Sequence, residues 1–264
     1  MKEYILNPTC DFIIAEGSPV LTTSDILCSI FWANDALLSI DSATKEFDIN
    51  VFDTLGMRNL SGMVGEVFVK SVLRHSSGNL MANLHQDGYP DLLLVDTDAK
   101  LAYYETLFKV YGDKKYPLNK SDFSPFRYGG IEVKATCGST PTATNNIPKP
   151  LIGEQRIKLM NGFDWKAHHR ETNNLLAILW DFIEEIPTVV ACFYRNDLTA
   201  ADWGKIVQPR VGGGRTTSVS IMNSGGVSKI CKGWLAVIDD PLYTIKLSAQ
   251  KWIGEDVREL RSRS

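Results

Sequence analysis

The chain has 264 residues, with 28 Lys+Arg against 31 Asp+Glu and a formal net charge of -3. Apolar residues make up 44% and charged residues 22%, which excludes a mostly disordered or collagen-like polymer and leaves room for a sizeable core. The near-neutral balance argues against a protein that coats nucleic acid by bulk charge, but is compatible with a local basic groove. No apolar run approaches the ~20 residues needed to cross a bilayer. The start, MKEYILNPTCDF, has no basic stretch leading into an apolar one, so the expectation is a cytoplasmic protein with no membrane span.

Residues 1–50 read as helical segments with polar joints, with apolar clusters at Ile26-Leu27, Ile30-Phe31-Trp32 and Leu37-Leu38. Leu60, Met63, Val64, Val67 and Phe68 recur at helical spacing, with Asn59 or Ser61 as the cap. Then the period changes. Leu92-Leu93-Leu94-Val95, after Gly88-Tyr89-Pro90, predicts a buried strand. Residues 99–128 hold Tyr, Lys and Pro with weak helical patterning and read as an insertion. From Gly130 to Ala135, alternation puts Ile131 and Val133 on one face of a strand and Glu132 and Lys134 on the other.

Gly138 to Pro150 is a loop rich in Thr, Asn and Pro. Leu151 to Lys166 reads as a helix, and Leu175 to Phe182 and Ile186 to Tyr194 as two strands. Glycine clusters at 212–214 and 225–226 punctuate a late region, where Leu235 to Ile238 and Tyr243 to Leu247 read as strands. Lys251 to Arg261 reads as a terminal helix. This order predicts an α/β fold, a central mixed sheet flanked by helices with a β-rich C-terminal part. The expectation is one domain over 1–264, with a helical part at 1–57, a core at 58–195 and a β-rich part at 196–264.

The five cysteines are far apart in sequence. That removes the paired spacing of a zinc site, and an odd count fits poorly with a closed disulfide framework, so free thiols are expected. No cysteine sits in a context that suggests a nucleophile. The histidines form no HExxH pattern, and GxxxxGK[ST] is absent, which argues against a nucleotide triphosphatase.

The informative constellation is Pro90-Asp91 followed, 41 residues on, by Glu132-Val133-Lys134. Phosphodiester hydrolysis needs a magnesium ion held by one or two carboxylates with positions left open for water and phosphate. It also needs positive charge where the phosphate gains negative charge. An aspartate at the start of one strand and a glutamate on its neighbour put two carboxylates on one metal. Lys134 lies two residues on, on the same face, and the Val133 carbonyl lies between them as a further oxygen ligand. Moving either residue by one would turn it into the core. A bare E-x-K is common on solvated strands; the preceding P-D on an apolar strand gives it meaning.

These residues, Pro90, Asp91, Glu132 and Lys134, resemble the PD-(D/E)xK nuclease superfamily, and within it the type II restriction endonucleases. The resemblance implies that Asp91 and Glu132 bind Mg2+ and that Lys134 works on the attacking water. Many members carry a further glutamate on the preceding helix. Glu66 in Ser61-Gly62-Met63-Val64-Gly65-Glu66-Val67-Phe68 matches it, and reads equally as an ordinary exposed helical glutamate. The strand–strand–helix–strand order after it looks like the family core over residues 58 to 195. Asp87, Asp96 and Asp98 compete with Asp91 for the metal, and Pro90 favours Asp91.

Sequence-specific cleavage of double-stranded DNA also needs base and phosphate contacts. Two donor-rich segments offer them. The first runs from Trp165 to Asn174 and holds His168, His169, Arg170 and Asn173. The second holds Arg210, the triple glycine, Arg215, Thr216 and Thr217, and continues toward Lys229. Plainer readings are a solvated loop and a flexible hairpin. Two active sites on a two-fold axis would cut both strands, so a homodimer is expected; the cluster around Ile30, Phe31, Trp32, Leu37 and Leu38 serves either as dimer surface or as core. The leading expectation is a restriction-modification endonuclease. Alternatives are a repair or structure-specific nuclease of the same superfamily, a DNA-binding module without chemistry, and another metal hydrolase.

Overall fold

The computed structural model describes residues 2–85, 88–117, 119, 122, 128–141, 149–168, 170–208, 218–254 and 257. The chain opens on strand β1 (Tyr4–Leu6) and a hairpin of β2 (Phe12–Ala15) and β3 (Ser18–Thr22). Thr22 then caps helix α1 (Thr23–Lys45) in a capping box with Asp25. The helical expectation for residues 1–50 is therefore corrected up to Thr22. Ile13, Ala15, Val20 and Leu21 are buried, but these strands are too short to show a period against the strong helical clusters that follow. Helix α1 is long and apolar enough to cross a membrane by length and composition. Its buried stripe of Ile26, Ile30, Ala33 and Leu37 instead joins the protein core.

Helix α2 (Val51–His75) starts at an Asn50 cap, earlier than Asn59 or Ser61, and is interrupted by a non-helical backbone at Gly56. Leu60, Val64, Phe68 and Val72 form its buried stripe. Strands β4 (Leu80–Ala82) and β5 (Leu92–Leu94) follow. The expected insertion is helix α3 (Asp98–Glu105) and a ribbon of β6 (Phe108–Tyr111) and β7 (Lys114–Pro117). Strand β8 (Gly130–Thr136) returns to the sheet.

No helix forms over Leu151 to Lys166. Asp181 accepts from the main-chain N–H groups of Arg156 at 2.8 Å and Ile157 at 3.0 Å, and Ser139 pairs with Gly162. Ile157, Met160, Phe163 and Trp165 are buried at a spacing that imitates a helix, while their backbone partners are elsewhere. Strand β9 (Lys166–Ala167) ends this segment.

Strands β10 (Leu175–Ile183) and β11 (Ile186–Arg195) lie where expected, and β10 is buried at every position. A turn of 3-10 helix covers Ala200–Asp202. Then come β12 (Ser220–Ile221), helix α4 (Ser224–Cys231), β13 (Trp234–Ile238) and helix α5 (Pro241–Ala249). The strand expected at Tyr243 to Leu247 is thus a helix. Asp240 caps it by accepting from Leu242 N at 2.8 Å, and Pro241 opens its first turn. The C-terminal part is accordingly mixed rather than β-rich. Of the expected terminal helix over Lys251 to Arg261, residues 251–253 are turn and bend, and most of the rest lies outside the described residues.

Seven strands form one mixed sheet in the order β1-β13-β11-β10-β8-β5-β4. Only β8 and β10 pair in parallel; the other neighbours are antiparallel. Alternation along β10 sends Leu176, Ile178, Trp180 and Phe182 into the core beneath α1 and α2. Leu175, Ala177 and Leu179 face a second core with Trp165, Trp203, Ile230 and Tyr243. Both faces of the sheet centre are covered, which explains the unbroken apolar runs.

Candidate active site

Asp91 stands immediately before β5, whose three leucines are all buried. Its own carbonyl accepts from Asn83 N at 2.9 Å, and Asn83 Nδ2 donates to the Pro90 carbonyl at 3.0 Å. The backbone at this corner is thereby fixed. Strand β5 pairs with β8 at Leu92–Ile131 and Leu93–Gly130. Gly130 sits at φ +151, and a Cβ there would meet the Leu92 carbonyl oxygen at 2.0 Å. Only glycine permits the approach that sets Asp91 beside the next residues of β8.

On β8, Ile131 and Val133 enter the core under α1 and α2. Glu132 and Lys134 share the opposite face, as alternation requires. Asp91 Oδ2 accepts from the main-chain N–H of Val133 at 2.8 Å and lies 3.8 Å from Lys134 Nζ. Lys134 Nζ also donates to Glu132 Oε1. In an extended strand the N–H and C=O of one residue point to the same edge, so the Val133 carbonyl is directed toward the Asp91 side. Thus the structure brings Asp91, Glu132, Val133 and Lys134 together.

Glu132 is only 5% exposed, and its Oε2 is buried with no hydrogen-bond partner among the described residues. Burial pushes the Asp91 carboxyl up to about 6, against the pull of the Lys134 ammonium and aided by the Glu132 charge. Burial acts to lower Lys134, but the Glu132 and Asp91 charges outweigh it and hold the ammonium above its ordinary value.

Glu66 is exposed on α2, next to Gly65, whose Cβ position lies 3.5 Å from Ala135 Cβ on β8. Its charge contributes to holding Lys134 protonated. The competing aspartates separate clearly. Asp96 is engaged by Ser18 Oγ and Lys100 Nζ, each at 2.6 Å. Asp98 is exposed in the first turn of α3, and Asp87 lies outside the described residues. Among the described residues, no three or more His, Cys, Asp or Glu side chains are gathered into a metal-binding group. The oxygen donors at the site are the Asp91 and Glu132 carboxylates and the Val133 carbonyl.

The two donor-rich segments are neighbours in space. Strand β9 pairs with β12 at Ala167–Ser220 and Lys166–Ile221, and His168 Nδ1 lies 3.1 Å from the Ser218 carbonyl. This small sheet reaches the candidate site through Thr136, which follows Lys134 on the same face of β8 and donates to Asp164. Lys166 Nζ pairs with Asp164 at 3.0 Å. Lys166 belongs to the donor-rich segment from Trp165 to Asn174, whereas Thr136 and Asp164 are not among the expected site residues. The alternation from Glu132 through Lys134 points to Thr136, but no local pattern points to the pairing with Asp164.

Arg170 donates to the Ala200 carbonyl, and Asn173 is exposed. Lys229 donates to the Asp197 carbonyl and lies 3.3 Å from Asp202, so its ammonium braces α4 against the Asp197–Asp202 segment. His169, Arg210, Arg215, Thr216 and Thr217 lie outside the described residues. In the N-terminal cluster, Ile30 and Leu37 are core, Phe31 packs edge-on against Tyr4, and Leu38 is exposed.

No protein family, no curated protein and no solved structure matches this chain.

Proposed function

We propose that the chain is a magnesium-dependent type II restriction endonuclease that hydrolyses phosphodiester bonds of double-stranded DNA at a specific sequence. The observation that carries the reading is the buried Glu132 carboxylate. One of its oxygens holds Lys134, and the other has no hydrogen-bond partner among the described residues, beside the Asp91 carboxylate. A buried anionic oxygen without a partner is costly, and a hard cation is the ligand that would satisfy it here. The donors are all oxygen, which suits magnesium. Asp91, Glu132 and the Val133 carbonyl would hold it. When bound, magnesium supplies a Lewis acid and a more acidic water.

The protein's own groups account for the rest. Lys134 is held protonated by two carboxylates, so its role is to orient water and stabilise negative charge on the phosphate, rather than to take a proton. Glu66, at the rim, supplies further negative charge toward the same ammonium. The order of β5, β8 and β10 after α2 supports the resemblance to PD-(D/E)xK nucleases. The described part of the β8–β10 connection departs from it by having no helix. The β9–β12 sheet, with His168, forms the DNA-reading side. A homodimer matches the need to cut both strands.

Digestion of phage DNA of known sequence tests the reading. Discrete fragments that require Mg2+ are expected. A smear favours a repair or structure-specific nuclease of the same superfamily, and intact DNA favours a binding module.

A further inference from the structure

The insertion between Asp91 and Glu132 carries a ribbon with an unusual outer face. In the β6–β7 pair, Lys109 stands opposite Tyr116 and Tyr111 opposite Lys114. Cross-strand partners share a face, as do residues two apart on a strand. Two lysines and two tyrosines therefore alternate on one side. The other side holds Phe108, Val110, Lys115 and Pro117. Gly112, at φ +61, opens a two-residue turn, Gly112-Asp113, that closes the ribbon.

Everything past the first pair projects outward. Tyr111 is 59% and Tyr116 47% exposed. Their rings pack edge to face at 5.9 Å, and Lys109 Nζ sits 5.1 Å from the centre of the Tyr111 ring. Over Phe108–Pro117 three lysines face one aspartate, in a chain whose net charge is -3. Among the described residues, none of these lysines makes an ion pair within 4.0 Å.

The base of the ribbon is anchored on the strands that carry the candidate site. Phe108, and Tyr128 just before β8, both pack against the cluster of Tyr104 with Leu93 and Val95 of the β5 segment. Tyr103, Tyr104 and Tyr128 stack edge to face at 5.0 to 6.0 Å. Leu93 is two residues from Asp91 and Tyr128 four from Glu132, so the ribbon is held in register with both carboxylates.

We infer that the β6–β7 ribbon is a second DNA-binding element, which lays the Lys109, Tyr111, Lys114 and Tyr116 face against the phosphate–sugar backbone of the duplex beside the cut site. The inference rests on the nuclease reading above. The charge is complementary, the two ammonium groups make no ion pair among the described residues, and the tyrosines offer flat surfaces and hydroxyl donors suited to sugar and phosphate. A two-stranded ribbon is also narrow enough to follow a groove.

The test uses the full chain, a fluorescent duplex of random sequence and titrations without Mg2+ from 50 to 200 mM salt. Each lost phosphate contact shallows the slope of log affinity against log salt by about 0.9. Lys109→Gln/Lys114→Gln is expected to shallow it by about 1.8 and to weaken binding at least about 10-fold at the low-salt end. Lys115→Gln, the same charge change on the other face, is expected to leave the slope unchanged. Circular dichroism confirms that both variants fold.

A double variant that binds like the wild type, in a preparation whose wild type cuts DNA, overturns the ribbon inference and leaves the nuclease reading standing. So does a Lys115→Gln variant that loses as much slope per charge as the double variant. A wild type that neither binds nor cuts DNA overturns both.

Discussion

The main-chain N–H of Val133 donates to Oδ2 of Asp91 at 2.8 Å, joining residues 42 apart in the sequence. The backbone of one strand thus orients the carboxylate of another, next to the Lys134 ammonium. Asp91→Asn keeps the shape and an oxygen that can accept this bond, but loses the charge. The variant is expected to fold normally and to lose Mg2+-dependent cleavage by at least about 10²–10³-fold. Single-turnover cleavage together with thermal unfolding checks this, and full activity would remove Asp91 from the site.

The same carboxyl predicts a pH effect on stability. Because its folded pKa is raised from 3.8 to about 6, the folded protein in a chelating buffer holds the proton more tightly than the unfolded chain. The resulting stabilisation is fully present below 3.8 and is lost as pH rises through about 6. Asp91→Asn behaves as the protonated form at every pH. Its stability relative to wild type is therefore expected to rise by about 1–3 kcal/mol between the acidic and the neutral plateau. Urea unfolding in chelator at pH 4 and pH 7.5 measures this; a flat difference would contradict the raised pKa of the Asp91 carboxyl.

Lys134 is part of the fold as well as of the chemistry, because among the described residues it is the only hydrogen-bond donor to the Glu132 carboxylate. Lys134→Met leaves a buried unpaired charge and is expected to cost about 3–5 kcal/mol. Adding Glu132→Gln removes that charge and should recover most of the loss, with cleavage still absent. Chemical denaturation of both variants decides it: equal stability of the single and double variants would show that the pair is not coupled.

Gly130 sets the contact between β5 and β8. Gly130→Ala drives a Cβ into the Leu92 carbonyl at a backbone angle that other residues avoid. We expect a loss of roughly 2–4 kcal/mol, from strain and displaced backbone together. Gly65→Ala, whose added carbon makes ordinary contact with Ala135, serves as the tolerated comparison in the same unfolding assay.

What the sequence discloses follows from how local each signal is. The strands at Leu92, Gly130, Leu175 and Ile186 are short apolar or alternating runs, and each is found where its pattern puts it. The alternation of Ile131, Glu132, Val133 and Lys134 places the polar pair on one face without knowledge of the fold. The false helix at Leu151 to Lys166 arises because Asp181, on a distant strand, takes the backbone donors of Arg156 and Ile157. The false strand at Tyr243 to Leu247 reflects β-branched and aromatic residues overruled by the Asp240 cap and Pro241. Thr136 with Asp164, and His168 beside Ser218, are tertiary pairings that no spacing in the chain encodes.

The most direct test of the account is cleavage of supercoiled plasmid by wild type, Asp91→Asn and Glu132→Gln, purified side by side, with Mg2+ and with chelator. Mg2+-dependent cutting by wild type, with both variants inactive under every condition, is the predicted result. Cutting that survives in either variant, or a wild type that leaves the plasmid intact with Mg2+ present, would contradict the assignment of Asp91 and Glu132 as the metal-binding carboxylates of a nuclease.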